Sequence, residues 1–196
     1  MNLLLTNKSK KVDTTIIANK EEKEEKEEFL SIVNDIITND AVKQMKNYIQ
    51  HCDTSCFEHC MHVAYYSYYL CKMFNLDYRS TARGAMLHDF FLYDWREKHR
   101  DPEFYGLHAF MHPRIALRNA LLIFNLNEKE QDIIEKHMWP VTFFKFPKYK
   151  ESYIVTLMDK YSALRETYSY IQSKLYKKNL MKYAYVFLSL ILFRIV

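Results

Sequence analysis

Gly84 and Gly106 are the only glycines in a chain of 196 residues, and just four prolines accompany them. A β-sandwich or barrel needs a turn signal roughly every 8–12 residues, far more than this supply allows. A Rossmann or P-loop fold needs a glycine-rich cradle for phosphate, which the chain lacks. An all-α fold is therefore expected, as a single helical bundle. Hydrophobic residues are 49% of the chain and charged residues 27%, enough for one sizeable core. The length suits one domain with a terminal appendage. We expect residues 1–28 to be a mobile N-terminal arm and 29–196 the helical domain.

The formal charge of +4 is mild, and no basic block marks a nucleic-acid footprint, so a duplex partner is not expected. Cys52, Cys56, Cys60 and Cys71 are spaced like neither a zinc ribbon nor a thioredoxin motif. Free thiols in a reducing cytoplasm are expected. Leu3–Leu5 is too short for a signal peptide. The apolar tail Ala184–Phe193 is about half the roughly 20 residues of a membrane span. A buried or dimer-forming helix is expected there, so a homodimer through the C-terminal helix is one expected partnership, and a membrane contact stays open.

Glu21–Glu28 is a charge run, read as the solvated start of a helix or a disordered lead-in. Phe29, Ile32, Val33, Ile36 and Ile37 then recur at helical spacing to about Thr38. Asn39 or Asp40 caps a second helix with Val42, Met45 and Ile49 inside. Thr54 or Ser55 caps a third, to about Phe74, whose inward stripe includes His59. A fourth, about Tyr78–Phe91, carries His88 and Asp89. Residues 92–111 read as a long irregular connection, a form that is usually functional. His112-Pro113 opens a fifth helix, with proline at the tolerated first position. Asn127 and Glu130 form a capping box for a sixth, which turns His137 inward. Pro140 and Pro147 bracket a loop, a seventh helix starts near Ser152, and residues 166–193 form one or two more.

The chain holds eight histidines. His59, His88, His112 and His137 fall on four predicted helices, and Asp89 and Asp159 are embedded in apolar stretches. A buried carboxylate must be paired, hydrogen-bonded or metal-bound. Imidazole with carboxylate suits a divalent transition metal: Fe or Mn, with Zn, Co and Ni also admitted. His51, His62 and His99 are expected to be structural or exposed.

Glu58-His59-Cys60-Met61-His62-Val63-Ala64, Leu87-His88-Asp89 and Met158-Asp159-Lys160 together resemble the HD superfamily of metal-dependent phosphohydrolases. The resemblance covers about residues 51–168 and implies an HD-type bundle enclosing a metal site. It implies His59, His88, Asp89 and Asp159 as ligands of one ion. His112 and His137, lying between the pair and the last Asp, resemble the second-metal histidines of binuclear members, in which the pair's Asp bridges. Those members include cyclic-nucleotide phosphodiesterases, the HD-GYP group and di-iron oxygenases such as inositol oxygenase. The stretch Phe90–Trp95 lacks the glycine and lysine of HD-GYP, and no Gly-Tyr-Pro element follows. His88–Trp95 and His137–Pro140 are similar to a group of small bacterial HD hydrolases.

On that resemblance a metal-activated water attacks a phosphate ester, nucleotide or related, with Asp89 bridging two ions. His108 is a candidate third nitrogen ligand or phosphate donor, and Arg83 a candidate phosphate contact. Asp94 would orient water or protonate the leaving group, against a loop carboxylate paired with Arg96. Lys160 would steady phosphoryl charge, against a surface lysine turned about 100° from Asp159. Tyr93, Trp95 and Trp139 would wall a base pocket or simply pack. A di-iron oxygenase and a non-catalytic phospho-ligand-binding protein are the competing functions.

Overall fold

The computed structural model describes the backbone of residues 3–96 and 107–195, and the side chains of 20–96, 107–178 and 181–182. Seven α-helices follow in order among these residues: α1 (Leu3–Ile37), α2 (Asp40–Lys43), α3 (Cys56–Met73), α4 (Tyr78–Met86), α5 (His108–Leu121), α6 (Glu128–Lys136) and α7 (Lys150–Ile195). A turn of 3-10 helix, Gln44–Asn47, follows α2. A small antiparallel hairpin, β1 (Ile49–His51) with β2 (Thr54–Ser55), leads into α3. The fold is the expected all-α bundle with this one addition.

Local chemistry sets several of these boundaries. Asn39 caps α2 through the amide of Ala41 at 2.9 Å. Ser55 and Glu58 make a reciprocal capping box at the start of α3. Asn127 and Glu130 do the same for α6, with both bonds at 2.9 Å. Each box satisfies two orphan helix donors. The middle of the bundle is α3, which packs most extensively on α4 and next on α7. Phe29, Val33 and Ile36 of α1 complete the core against them. Gly84 lets α4 approach α6: a Cβ there would lie 3.0 Å from the Ile133 side chain and 3.2 Å from the Glu130 Cα.

Several elements differ from the sequence reading. The first helix begins long before Phe29, at Leu3. Lys20–Glu24 and Lys23–Glu27 pair weakly on its exposed surface. The side chains of 1–19, most of the expected arm, lie outside the described residues. The second helix is a single turn, because the chain at Ile49 enters the hairpin. The fourth helix ends at Met86 rather than near Phe91, so His88 and Asp89 occupy a turn. The fifth begins at His108, which places Pro113 inside it. The proline is the sixth residue of the helix, where its ring removes the N–H that would reach the Ala109 carbonyl. The seventh helix is one continuous rod of 46 residues instead of two or three segments. His99, Asp101, Pro102 and Gly106 of the expected connection lie outside the described residues, as do the side chains of Ala184–Phe193. No helix among the described residues is long and apolar enough to cross a membrane.

Candidate metal centre

Five segments deliver six donors to one place. The inner face of α3 supplies His59, the turn after α4 supplies His88 and Asp89, and α5 supplies His112. His137 is the C-cap of α6, and Asp159 comes from α7. His59, His88, Asp89, His112 and His137 are all buried, and the Asp159 side chain is 13% exposed. The turn carrying His88 and Asp89 closes with Leu87 N–H to Gly84 and His88 N–H to Ala85. Two cysteines brace it: the Cys56 thiol donates to the Asp89 carbonyl at 3.1 Å, and Cys60 Sγ lies 3.7 Å from His88 Nδ1. All four cysteines are free thiols.

The hydrogen bonds fix which ring nitrogens are available. Nδ1 of His88 meets the Ala85 carbonyl at 2.7 Å, Nδ1 of His112 the His108 carbonyl at 2.9 Å, and Nδ1 of His137 the Ile134 carbonyl at 2.9 Å. A carbonyl can only accept, so each Nδ1 carries the proton and each neutral ring turns a bare Nε2 inward. His59 follows the same logic through a carboxylate, with its Nδ1 3.1 and 3.2 Å from the two oxygens of Glu166.

These inward atoms face other acceptors. Nε2 of His112 and of His137 are 2.8 Å apart. They lie 3.2 and 3.4 Å from Asp89 Oδ1, which has no hydrogen-bond partner, and His88 Nε2 is orphaned likewise. Nε2 of His59 is 3.1 Å from Asp159 Oδ1. Acceptors held against acceptors in a buried site call for a cation between them. The spacing suits one. Donors about 2.0–2.1 Å from a common ion are roughly 2.9 Å apart at a right angle and roughly 3.4 Å apart at the tetrahedral angle. Of four donor groups among the described residues, two share Asp89, His59-His88-Asp89 and Asp89-His112-His137, and a third joins Asp159 to His88 and His137.

Without an ion, protons carry the balance. Burial disfavours charge on His59, but Asp159 and Glu166 hold its pKa well above the usual imidazole value. Burial also opposes charge on His88, yet Asp89 and Cys60 raise it to about 9. For His137 burial prevails over Asp89, and the value falls to about 4. Burial resists ionisation of Asp89, but the neighbouring His88 and His112 keep it well below the carboxylate range.

A cavity of about 270 Å³ opens beside the donors, lined also by Gln50, His51, Trp95, His108, Met138 and Lys160. Lys160 faces the site after all: its Nζ donates to the His137 carbonyl and to Asp159 Oδ2, each at 2.9 Å. The long stem spans the angular offset that the helix imposes. His108 stacks between His112 (4.5 Å) and Trp95 (5.6 Å), and its Nδ1 meets the Tyr93 hydroxyl at 3.1 Å. Arg83 is not brought to the cavity. It joins α4 to its neighbours through Asp35 at 2.6 Å and Glu130 at 3.0 Å. Asp94 lies outside the cavity lining, half-buried, accepting from the Arg96 amide at 3.0 Å. Trp139 packs on Tyr153 instead of lining the cavity.

Three site residues were not anticipated. Glu166 also meets His62 Nδ1 at 3.0 Å, and its own pKa is near 2: burial resists ionisation, and the bonds to His59 and His62 overcome it. It falls two helical turns after Asp159 on the same face, a spacing legible in the sequence. Gln50 donates to Asp89 Oδ2 at 2.6 Å from the hairpin. His51 lines the cavity and forms a donor group with His59 and Glu166.

No protein-family model, no curated protein and no solved structure matches this chain.

Proposed function

We propose that the protein is a metal-dependent phosphohydrolase of the HD type, acting on a nucleotide or a related phosphate ester. The observation that carries the reading is the set of bare imidazole Nε2 atoms gathered around the buried Asp89 carboxylate. The order His59, His88-Asp89, His112, His137, Asp159 supports the HD resemblance. His59, His88, Asp89 and Asp159 would hold one divalent ion, and Asp89, His112 and His137 a second.

Bound divalent ions there would lower the pKa of water and offset phosphoryl charge. The chain supplies the rest. Asp89 places a charge between the two donor groups, and Gln50 orients its second oxygen. Lys160 uses two of its three N–H bonds on His137 and Asp159, which aims the ammonium beside the donors and leaves one N–H for a phosphate oxygen. The Trp95–His108 stack offers a flat wall against which a base can lie. The proposed setting is the cytoplasm, where the four thiols stay reduced.

Metal content of protein purified without added metal or chelator, followed by a phosphate-ester panel, tests this. The expected result is about two ions of Fe or Mn per chain and phosphate release. No metal after reconstitution overturns the site. Oxygen uptake by the reduced protein, with no phosphate release, overturns the hydrolase in favour of the oxygenase. Metal and ligand binding with no turnover favours the regulatory reading.

A further inference from the structure

A helix on the surface of a domain normally turns its polar face outward, and α7 does not. Its inward face carries Val155, Asp159, Ser162 and Glu166, into the core and the metal centre. About 180° around the helix, at roughly 100° per residue, lie Leu157, Tyr161, Leu164, Tyr168, Ile171 and Leu175. Their exposures run from 49% for Ile171 to 72% for Leu164. Their spacing alternates four and three residues without a break. That is the period of a seam between two supercoiled helices, not of a solvated surface. The stripe also runs out onto a part of α7 that its own domain does not cover, since residues 171–178 are all exposed.

We infer that this stripe pairs with the same stripe of a second copy, antiparallel, about a two-fold axis near residue 166. In that register Leu164 lies against Tyr168 of the second copy, Tyr161 against Ile171 and Leu157 against Leu175. The stripe is self-complementary, as a two-fold interface must be. At no more than roughly 200 Å² for each side chain, the middle of the aromatic range, its exposed part comes to at most about 700 Å², near the roughly 800 Å² per partner of a standard stable interface. The flanking cations are tied to their own chain: Lys160 to His137 and Asp159, and Arg165 to the Tyr66 hydroxyl. Lys178 and Lys182, both exposed, continue the stripe beyond Leu175. Lys150, exposed, continues it at the other end. A parallel pair would set all three lysines against their own copies; the antiparallel register places Lys178 against Ile154 and leaves only Lys182 against Lys150. On α7 the stripe lies roughly 160° around the helix from Asp159.

Sedimentation velocity on the full metal-loaded chain at micromolar concentration tests the pairing. The wild type is expected at twice the chain mass, and Leu164→Glu as a monomer with unchanged metal content. A monomeric wild type, whether or not it binds anionic phospholipid vesicles, overturns the proposal, as does a Leu164→Glu dimer. Orientation is read by cysteine crosslinking in a Cys52→Ser background. Leu164→Cys combined with Tyr168→Cys is expected to crosslink while Leu164→Cys alone does not. Efficient crosslinking by Leu164→Cys alone overturns the antiparallel register.

Discussion

Replacing Glu166 by glutamine should weaken metal binding without touching any of the six donors proposed to hold the two ions. Glu166 is buried and accepts from Nδ1 of both His59 and His62, at 3.1 and 3.0 Å. Glutamine keeps the shape but offers one acceptor and one donor. An amide oxygen in the place of Oε1 still accepts from both imidazoles, at 3.2 and 3.0 Å, but as a neutral group, and the amide N–H then faces Nδ1 of His59 in the place of Oε2. Exchanging a charge-assisted bond for a neutral one costs about 1–1.5 kcal/mol, which is about tenfold in affinity. Setting an N–H against the His59 N–H where Oε2 stood also disturbs the orientation of His59, which places the expected effect within about 10–100-fold. Calorimetric titration of metal-free protein with Mn(II) measures this directly. Glu166→Ala should bind more weakly than Glu166→Gln, because no acceptor remains. A Glu166→Gln protein within about twofold of the wild type would refute the positioning role.

His137→Ala should lose the ion held with Asp89 and His112 and keep the other, so elemental analysis should fall from about two ions per chain to about one. Unchanged metal content would remove His137 from the ligand set. Gly84→Ala gains about 1 kcal/mol in helix propensity, but its methyl would press on Ile133 at 3.0 Å, where overpacking costs about 1–3 kcal/mol. A melting temperature lower by a few degrees is expected, and a higher one contradicts the close approach of α4 to α6. Glu28 is held at a pKa of about 2 by its bonds to Lys72, then Tyr68 and Tyr78, against the ordinary 4.5. It is more acidic folded than unfolded, so its stabilisation is complete above pH 4.5 and is lost as pH falls through about 2. Thermal melts over that range should fall less steeply for Glu28→Gln than for the wild type; parallel curves would show that Glu28 contributes nothing.

What was legible in the sequence was mostly local or periodic. The Asn127–Glu130 box was readable because a cap involves residues three apart, and Ser55 is one of the two caps expected for α3, with its partner Glu58 added by the structure. Six donors converge as expected because an ionisable group in an apolar stretch has few tolerable environments. The hairpin escaped notice because strands of three and two residues leave no alternation to detect. The turn at His88 was hidden since the apolar run Ala85–Leu87 reads equally well as helix. Arg83 illustrates the opposite limit. It is close in sequence to the His-Asp pair, yet its partners Asp35 and Glu130 come from α1 and α6 and turn it away. Glu166 was overlooked although the spacing was there, for want of a reason to extend the α7 face past Asp159.

His59 and Asp159 meet across 100 residues of chain, and the donors between them come from three more segments. Such a centre cannot assemble early, since each long closure must be completed before any ion gains a full set of ligands. Metal should therefore leave the folding rate nearly unchanged and slow unfolding, the behaviour of contacts absent from the transition state. Loaded protein would then outlast stripped protein under protease by more than its melting temperature suggests. The centre would serve the chain as a late-fastening clasp as well as a place for chemistry.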